Sequence, residues 1–438
     1  MTIASTSFNP PASATRADVA AALARRRKFA EWRFKAYGMV AIAISLGALA
    51  ILFTTIVRNG YPAFVQSSIK LDVFFDPAEI DPSGTQKPED IRNANYPKLA
   101  QAALYKLIGL ESSDRKVRRD ANQMLSQSVD IQLRDMVMKN PALIGTTQPV
   151  WVLARDEIDA LLKGSISRDT PEDRRKVNDR QIGWADKLVA DGRMVKRFNT
   201  GLFVNGASSD AETAGLGVAL IGSFFMMATV LLLAVPLGVA AAIYLQELAP
   251  KNRFTDLIEV NINNLAAVPS IVFGLLGLAV FINFAGLPRS ASLVGGLVLT
   301  LMTLPTIIIA TRAAVAAVPP SIREAALGVG ASRVQTIFHH VLPLAMPGIL
   351  TGTIIGLAKA LGETAPLLMI GMVAFVIDYP TSPLDSATAL PVQVYMWATE
   401  AERGFIERTA AATLVLLGFM VVMNAVAIVL RQRFMRKW

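Results

Sequence analysis

Two ionisable side chains lie inside a long apolar run near the C-terminal third of the sequence. Lys359 and Glu363 stand four residues apart, so a helix would place both on one face. Charged groups are costly inside a membrane and mark substrate or ion pathways there. Lys359 could attract an anion, and the hydroxyl of Thr364 could donate a hydrogen bond to it. The two charges either belong to such a substrate pathway or neutralise each other, with Glu363 bracing the helix break that Gly362 and Pro366 predict.

Three more side chains near the same runs offer chemistry. Arg312, at the inner end of the preceding apolar run, either contributes to the pathway or extends its guanidinium to the lipid headgroups. His339 and His340 are adjacent on a predicted helix, so they point in different directions and cannot chelate one ion. The chain has no cysteine and no other histidine. We therefore predict no metal site, and no catalytic residue is indicated.

The composition indicates a membrane protein. Of the 438 residues, 53% are hydrophobic and 18% are charged, which is the balance of a chain that crosses a membrane several times. The net charge is +9, but the lysines and arginines gather beside the apolar runs. That placement is an orientation signal, so we expect membrane lipid and no nucleic acid among the partners.

Six apolar runs are long enough, at roughly 20 residues each, to cross a hydrocarbon core about 30 Å thick. They cover residues 37–57, 216–244, 266–286, 293–315, 348–377 and 410–430. The first is longer than the core of a cleaved signal peptide, so it is predicted to be transmembrane helix 1. The expected fold class is an all-α polytopic membrane protein with six transmembrane helices.

Basic flanks give the predicted orientation. They precede the first run and follow the last: Arg25, Arg26, Arg27, Lys28, Arg33, Lys35, Arg431, Arg433, Arg436 and Lys437. Both termini are therefore expected in the cytoplasm, with residues 1–36 as a basic tail. Residues 58–215 would then lie on the periplasmic side of the cell inner membrane, where turn clusters, amphipathic stretches and "PVWVLA" predict a small α+β domain. Residues 216–438 would hold the other five helices.

A polar segment interrupts the fourth and fifth runs. It reads "REAALGVGASRVQTIFHHVLPLAMPG" from Arg323, inside an elbow predicted at residues 316–347. Two prolines are placed to start a helix, and Gly330 can adopt the left-handed backbone that ends one. Two small neighbours, Ala325 and Ala326, leave a shallow face for another protein. Such a helix–glycine–helix elbow is suited to transmit force to a protein docked in the cytoplasm.

This segment resembles the coupling signature of ABC importer permeases, which is Glu-Ala-Ala, three residues, Gly, nine residues, Ile, one residue and Leu-Pro. His340 stands where Ile is usual. "GETAPLL" at 362–368 and "VPSIVFGLLGL" from Val268 resemble the PstA-type permease subunit of the phosphate ABC importer. The resemblance covers residues from about 216 to the C-terminus, and residues 58–215 are similar to the insertion of its long forms.

The resemblance implies the ABC importer type I permease fold and one half of a phosphate translocation pathway. It assigns Arg323, Glu324, Ala325, Ala326 and Gly330 to coupling with a cytoplasmic ATPase. The implied partners are a PstC-type sister permease, a PstB-type ATPase dimer, a PstS-type periplasmic phosphate-binding protein and inorganic phosphate. The sequence contains no G-x-x-x-x-G-K-[ST] motif. ATP and Mg²⁺ are therefore expected in the partner ATPase, and the chain itself is predicted to bind no cofactor and to be no enzyme.

Three other functions stay open. A permease for molybdate or sulfate would use the same machinery with a different oxyanion. A membrane sensor of phosphate status would use residues 58–215 to bind its ligand. An ion-coupled secondary carrier would transport without an ATPase and would not need the elbow.

Overall fold

The computed structural model describes residues 16–82, 84, 87–111 and 114–434. The chain divides into two compact units, Met1–Arg58 and Asn59–Trp438. The described part of the first unit is a helix, α1, whose full extent is Arg16–Gly60. This helix is longer than the predicted span 37–57, because the preceding basic stretch is rich in alanine and arginine, which favour helix.

The first part of the second unit combines helices with one sheet. Strands β1 (Val65–Phe74), β2 (Thr147–Leu153) and β3 (Met194–Phe198) form an antiparallel sheet in the order β2-β1-β3. Alternate β1 residues are fully buried on one face of the sheet, namely Ile69, Leu71 and Val73. The helices of this part are α2 (Pro77–Ile80), α3 (Pro88–Asn93), α4 (Tyr96–Ile108), α5 (Arg115–Asn122), α6 (Val129–Lys139), α7 (Asp156–Lys163), α8 (Asp179–Ala190) and α9 (Gly201–Val204).

The rest of the second unit is helical. Its helices are α10 (Gly217–Ile243), α11 (Arg253–Ala266), α12 (Ser270–Gly277), α13 (Ser292–Ala316), α14 (Pro320–Gly328), α15 (Arg333–Gln335), α16 (Leu342–Gly362), α17 (Ala365–Met369), α18 (Leu390–Ala398) and α19 (Gly404–Phe434). Three π-helical turns adjoin α10, α12 and α16, at Tyr244–Leu248, Leu278–Phe284 and Thr336–Val341.

Within the described residues, five helices are long and apolar enough to cross a membrane, and a bent pair makes six if it counts as one span. The pair is Arg253–Ala266 with Ser270–Phe284, and its two helices meet at 101°. The bend lies at residues 267–269, so α12 and the π-helical turn after it fill most of the predicted third span, residues 266–286, and α11 precedes that span at an angle. Pro269 explains the bend, because it lacks an amide hydrogen and disfavours helical backbone at the residue before it.

The fifth predicted span, residues 348–377, also differs. α16 begins at Leu342, inside the predicted elbow, and it ends at Gly362. The backbone of Glu363 is extended, with ψ 127°, and Pro366 starts the separate short α17. Glycine and proline so close together end the helix where the apolar run continues.

Helices α10, α13 and α16 pack together in the core of this unit. Two glycines of α16 lie against alanines of α13: a Cβ at Gly348 would come within 2.6 Å of the Cβ of Ala314, and one at Gly352 within 2.3 Å of that of Ala310. Small residues spaced by four let two membrane helices approach closely. This contact fixes the first half of α16 on α13, and the predicted pathway residues lie at the other end of α16.

Candidate coupling elbow and translocation pathway

The elbow is a short helix closed by a glycine. α14 starts at Pro320, where the missing amide hydrogen would have no partner inside the helix. At its end the amide of Ala331 donates to the carbonyl of Ala326, and that of Gly330 donates to Leu327, both over 3.0 Å. Gly330 has a φ of 89°. This is the left-handed Schellman ending, so the prediction that Gly330 ends the first helix of the elbow is confirmed.

One face of α14 and of the turn after it is exposed. Glu324 and Ala325 are exposed, and Leu327 and Val329 expose 48% and 86% of their surface. A carboxylate beside uncovered apolar side chains suits a protein contact. Ala326 is buried within the chain, so of the two alanines Ala325 offers the surface. Consecutive helical residues point about 100° apart, which explains why the two neighbours differ.

Arg323 faces the chain interior. Its Nη2 atom lies 2.6 Å from Oε1 of Glu247, and both side chains are mostly buried. Its Nη1 and Nη2 donate to the carbonyl oxygens of Val318 and Val315 over 2.7 and 2.9 Å. The guanidinium is thus engaged inside the chain, whereas Glu324 has no bonded partner within the part of the chain that the structure describes.

The two histidines lie in the π-helical turn before α16. His339 and His340 are both exposed and line, with Ile322 and Pro343, a groove of about 550 Å³. Both histidines are therefore surface residues in the described chain. No group of three or more potential ligands among the described residues could hold a metal ion.

Three of the four predicted pathway residues lie together at the end of α16. Lys359 is exposed in the last turn, where a cation interacts favourably with the helix carbonyls. Glu363 is the half-buried C-cap residue, and Thr364 is half-buried beside it. In the described chain no ion pair joins Lys359 to Glu363, because the extended backbone at Glu363 takes its side chain off the helical face. The predicted mutual neutralisation is therefore not present.

Two helix breaks meet beside these residues. α12 packs on α17 so closely that a Cβ at Gly274 would lie 2.7 Å from the Cα of Pro366. The sequence motifs "VPSIVFGLLGL" and "GETAPLL" are therefore in direct contact. Non-helical backbone at membrane depth is tolerated where it is buried in protein or lines a cavity, and transporter sites are built from such broken helices. The geometry groups Glu363 and Thr364 with both breaks.

Arg312 has a partner that sequence reasoning missed. Its Nη2 atom lies 2.6 Å from Oε1 of Glu259, which ties α13 to α11. Neither predicted alternative, a pathway role or an extension to the headgroups, included this ion pair. Glu247 was missed in the same way as the partner of Arg323. One sequence feature could have indicated both ion pairs: an acidic residue beside an apolar run needs a cation nearby.

Comparison with known proteins places this arrangement in a family. Residues 234–437 match the family model described as binding-protein-dependent transport system inner membrane component, and residues 21–172 match a domain of unknown function, DUF3333. The chain is 32% identical over 228 residues to the phosphate transport system permease protein PstA 1 of Mycobacterium tuberculosis, covering 52% of this chain and 74% of that protein. The chain belongs to the family of binding-protein-dependent transport permeases.

As a member of this permease family, the chain is a multi-pass membrane protein. A probable ABC transporter permease protein of Bacillus subtilis is 34% identical over 188 residues, which are 43% of this chain and 63% of that protein. The inward-facing MetNI methionine ABC transporter is similar over 50% of this chain and 97% of its own, with 15% identity and a TM-score of 0.41. The elbow, both helix breaks and the two ion pairs all lie within residues 234–437, the part that matches the permease family.

Proposed function

We propose that the chain is a permease subunit of an ATP-driven importer of inorganic phosphate. It forms half of the translocation pathway beside a PstC-type sister permease and receives phosphate from a PstS-type binding protein. The observation that carries the proposal is the elbow, which presents Glu324 and Ala325 on a helix held firmly by the chain. The relative named as a phosphate transport permease supplies the choice of substrate.

Energy comes from a second protein. The chain has no phosphate-binding G-x-x-x-x-G-K-[ST] loop, so ATP and Mg²⁺ are bound by a PstB-type ATPase dimer and the chain is not itself an enzyme. Both termini and the elbow face the cytoplasm, and residues 58–215 face the periplasm. ATP binding closes the ATPase dimer, the elbows follow, and the two permeases open outward. Hydrolysis returns them to the inward-facing state.

The anion passes the end of α16. Lys359 is the cation that attracts phosphate, and the hydroxyl of Thr364 donates to a phosphate oxygen. A lysine lacks the planar fork that binds phosphate through two hydrogen bonds, so its contact is transient and permits release. Glu363 supports the break between α16 and α17. Arg312 is occupied by Glu259 and secures α13 on α11, which favours a structural role over a contact with the anion.

The test is uptake of radiolabelled phosphate by proteoliposomes that hold the co-purified complex, with binding protein outside and ATP sealed inside. We expect uptake that requires ATP and withstands excess sulfate or molybdate. Uptake without ATP would overturn the ABC importer and support a secondary carrier. ATP-dependent uptake abolished by sulfate or molybdate would keep the machinery and change the cargo.

A further inference from the structure

The elbow helix needs a rigid attachment if it is to transmit force. α14 has nine residues and is joined to its neighbours by short non-helical segments on both sides. Ile322 packs against the small apolar cluster of Val318, Val341 and Ala345, which resists separation of α14 from the chain. Apolar contacts are not directional, however, and permit a short helix to rock.

Arg323 forms the directional hydrogen bonds that attach α14 to the rest of the chain. Its Nε donates to both carboxylate oxygens of Glu247 over 3.1 and 3.2 Å, and its Nη2 donates to one of them over 2.6 Å. The carbonyls of Val315 and Val318 accept the remaining two bonds. All three guanidinium nitrogens are therefore used, in a planar fork that a lysine could not reproduce.

These acceptors belong to two long helices. Glu247 lies in the π-helical turn at the end of α10, and Val315 lies in the last turn of α13, with Val318 just beyond it. α10 and α13 pack along one another, and the Cβ of a residue placed at Gly296 of α13 would come within 2.5 Å of Thr229 of α10. The Arg323 side chain of α14 is thus hydrogen-bonded at the ends of both helices of this pair.

We propose that Arg323 and Glu247 form a clamp that transmits the movement of the elbow helix to α10 and α13. Arg323 is a positioning residue in this role: Glu324 and Ala325 meet the ATPase, and Arg323 makes α14 move with the two long helices. The inference rests on the proposed function, since it concerns the coupling of ATP hydrolysis to phosphate movement. It differs from the role that the family resemblance implied for Arg323, which was contact with the ATPase.

The test uses Arg323→Lys and Glu247→Gln in the whole complex. Glu247→Gln keeps the shape of the side chain and Arg323→Lys keeps its positive charge, so we expect both complexes to assemble and to hydrolyse ATP. The amount of phosphate taken up per ATP hydrolysed should fall by about fivefold or more, because movement of the elbow no longer reaches the pathway. Arg333→Lys is the matched control, since Arg333 is exposed on the next helix and should leave the ratio unchanged. If the Arg323→Lys complex does not assemble, the phosphate taken up per ATP hydrolysed by the Glu247→Gln complex tests the clamp alone.

A second readout reports the clamp without transport. The chain has no cysteine, so spin labels can be attached through Val329→Cys on the elbow and Leu248→Cys beyond α10, both exposed positions. With Arg323 present, the distance between the labels should be narrowly distributed, and Arg323→Lys should broaden it. A narrow distribution together with an unchanged uptake ratio in both clamp variants would overturn the clamp. Absence of ATP-dependent phosphate uptake in the unmodified complex would overturn the proposed function instead, and the label distances would still decide the clamp.

Discussion

The carboxylate of Asp156, the first residue of α7, lies against Gly404, the first residue of α19. A Cβ at Gly404 would lie 2.4 Å from Oδ1 of Asp156, so this contact leaves no room for a side chain. Beside it, Lys163 joins Asp159 over 2.6 Å and Glu407 over 3.3 Å. The α+β part is thus attached to the last helix through a group of charges.

Asp156 makes the stability of this attachment depend on pH. Its pKa is raised to about 7, first by burial and then by the negative charges of Glu212, Glu402, Glu157 and Asp159. The buried Arg408 faces the same group of acidic side chains. A raised pKa means that the folded state holds the proton more tightly than the unfolded chain does. The stabilisation is therefore fully present at low pH, below the ordinary pKa of 3.8, and is lost as the pH rises through about 7.

We accordingly expect Asp156→Asn to flatten the pH profile of thermal unfolding. Its Tm should exceed that of the unmodified chain by roughly 2–4 °C at about pH 8, with the difference shrinking as the pH falls. Asp191→Asn, an exposed position at the end of α8, is the control and should keep the original profile. Parallel profiles for all three proteins would contradict the assignment.

The contact of α16 with α13 should not tolerate a larger residue. Gly352→Leu would drive a side chain into the backbone and Cβ of Ala310, and overpacking of this kind lowers the free energy of unfolding by roughly 1–3 kcal/mol. Gly418→Leu in α19 is the matched control, because open space surrounds that glycine. Thermal unfolding in detergent measures both. Equal Tm values for the two variants would show that α16 does not depend on this close approach.

Sequence patterns predicted the helical elements better than the breaks between them. The elbow, with its end at Gly330, followed from local chemistry, since proline starts a helix and glycine closes one. Gly362 and Pro366 predicted the break at Glu363, but hydropathy alone extended the fifth span past it to residue 377, because apolarity cannot distinguish a helix from extended backbone that is buried by other parts of the chain. Pro269 marks a possible kink in the sequence, but hydropathy gave no indication of the 101° angle of the bend there.

The sequence also did not indicate which distant residues and strands pair with one another. Arg323 and Arg312 were recognised as important from their positions, but Glu247 and Glu259 lie in a different part of the sequence and carry no local pattern that pairs them. Strands β1 and β3 are likewise distant in the sequence: most of the α+β part separates them, and they meet through tertiary packing. Local periodicity contains no information about which distant segments meet.

Glu324 is expected to be required for the ATPase contact. Because it is exposed on α14, Glu324→Lys should leave the Tm of the permease unchanged and reduce co-purification of the ATPase by about tenfold or more. Glu400→Lys reverses an exposed charge in the segment between α18 and α19 and should retain the ATPase. A Glu324→Lys complex that assembles fully and transports at the normal rate would remove Glu324 from the coupling surface.

Lys359 should govern phosphate uptake through its charge. Lys359→Met keeps an unbranched side chain of similar length but removes the cation, so uptake at low phosphate should fall by roughly tenfold, while ATP hydrolysis and assembly persist. Lys359→Arg keeps the charge and should retain uptake at low phosphate, with slower turnover at saturation because the guanidinium fork holds the anion longer. Lys251→Met, an exposed position in the segment after α10, is the control. Initial rates over a range of phosphate concentrations separate the two effects. A Lys359→Met complex with unchanged rates would mean that the anion does not pass this end of α16, and attention would move to the hydroxyl of Thr364 at the neighbouring break.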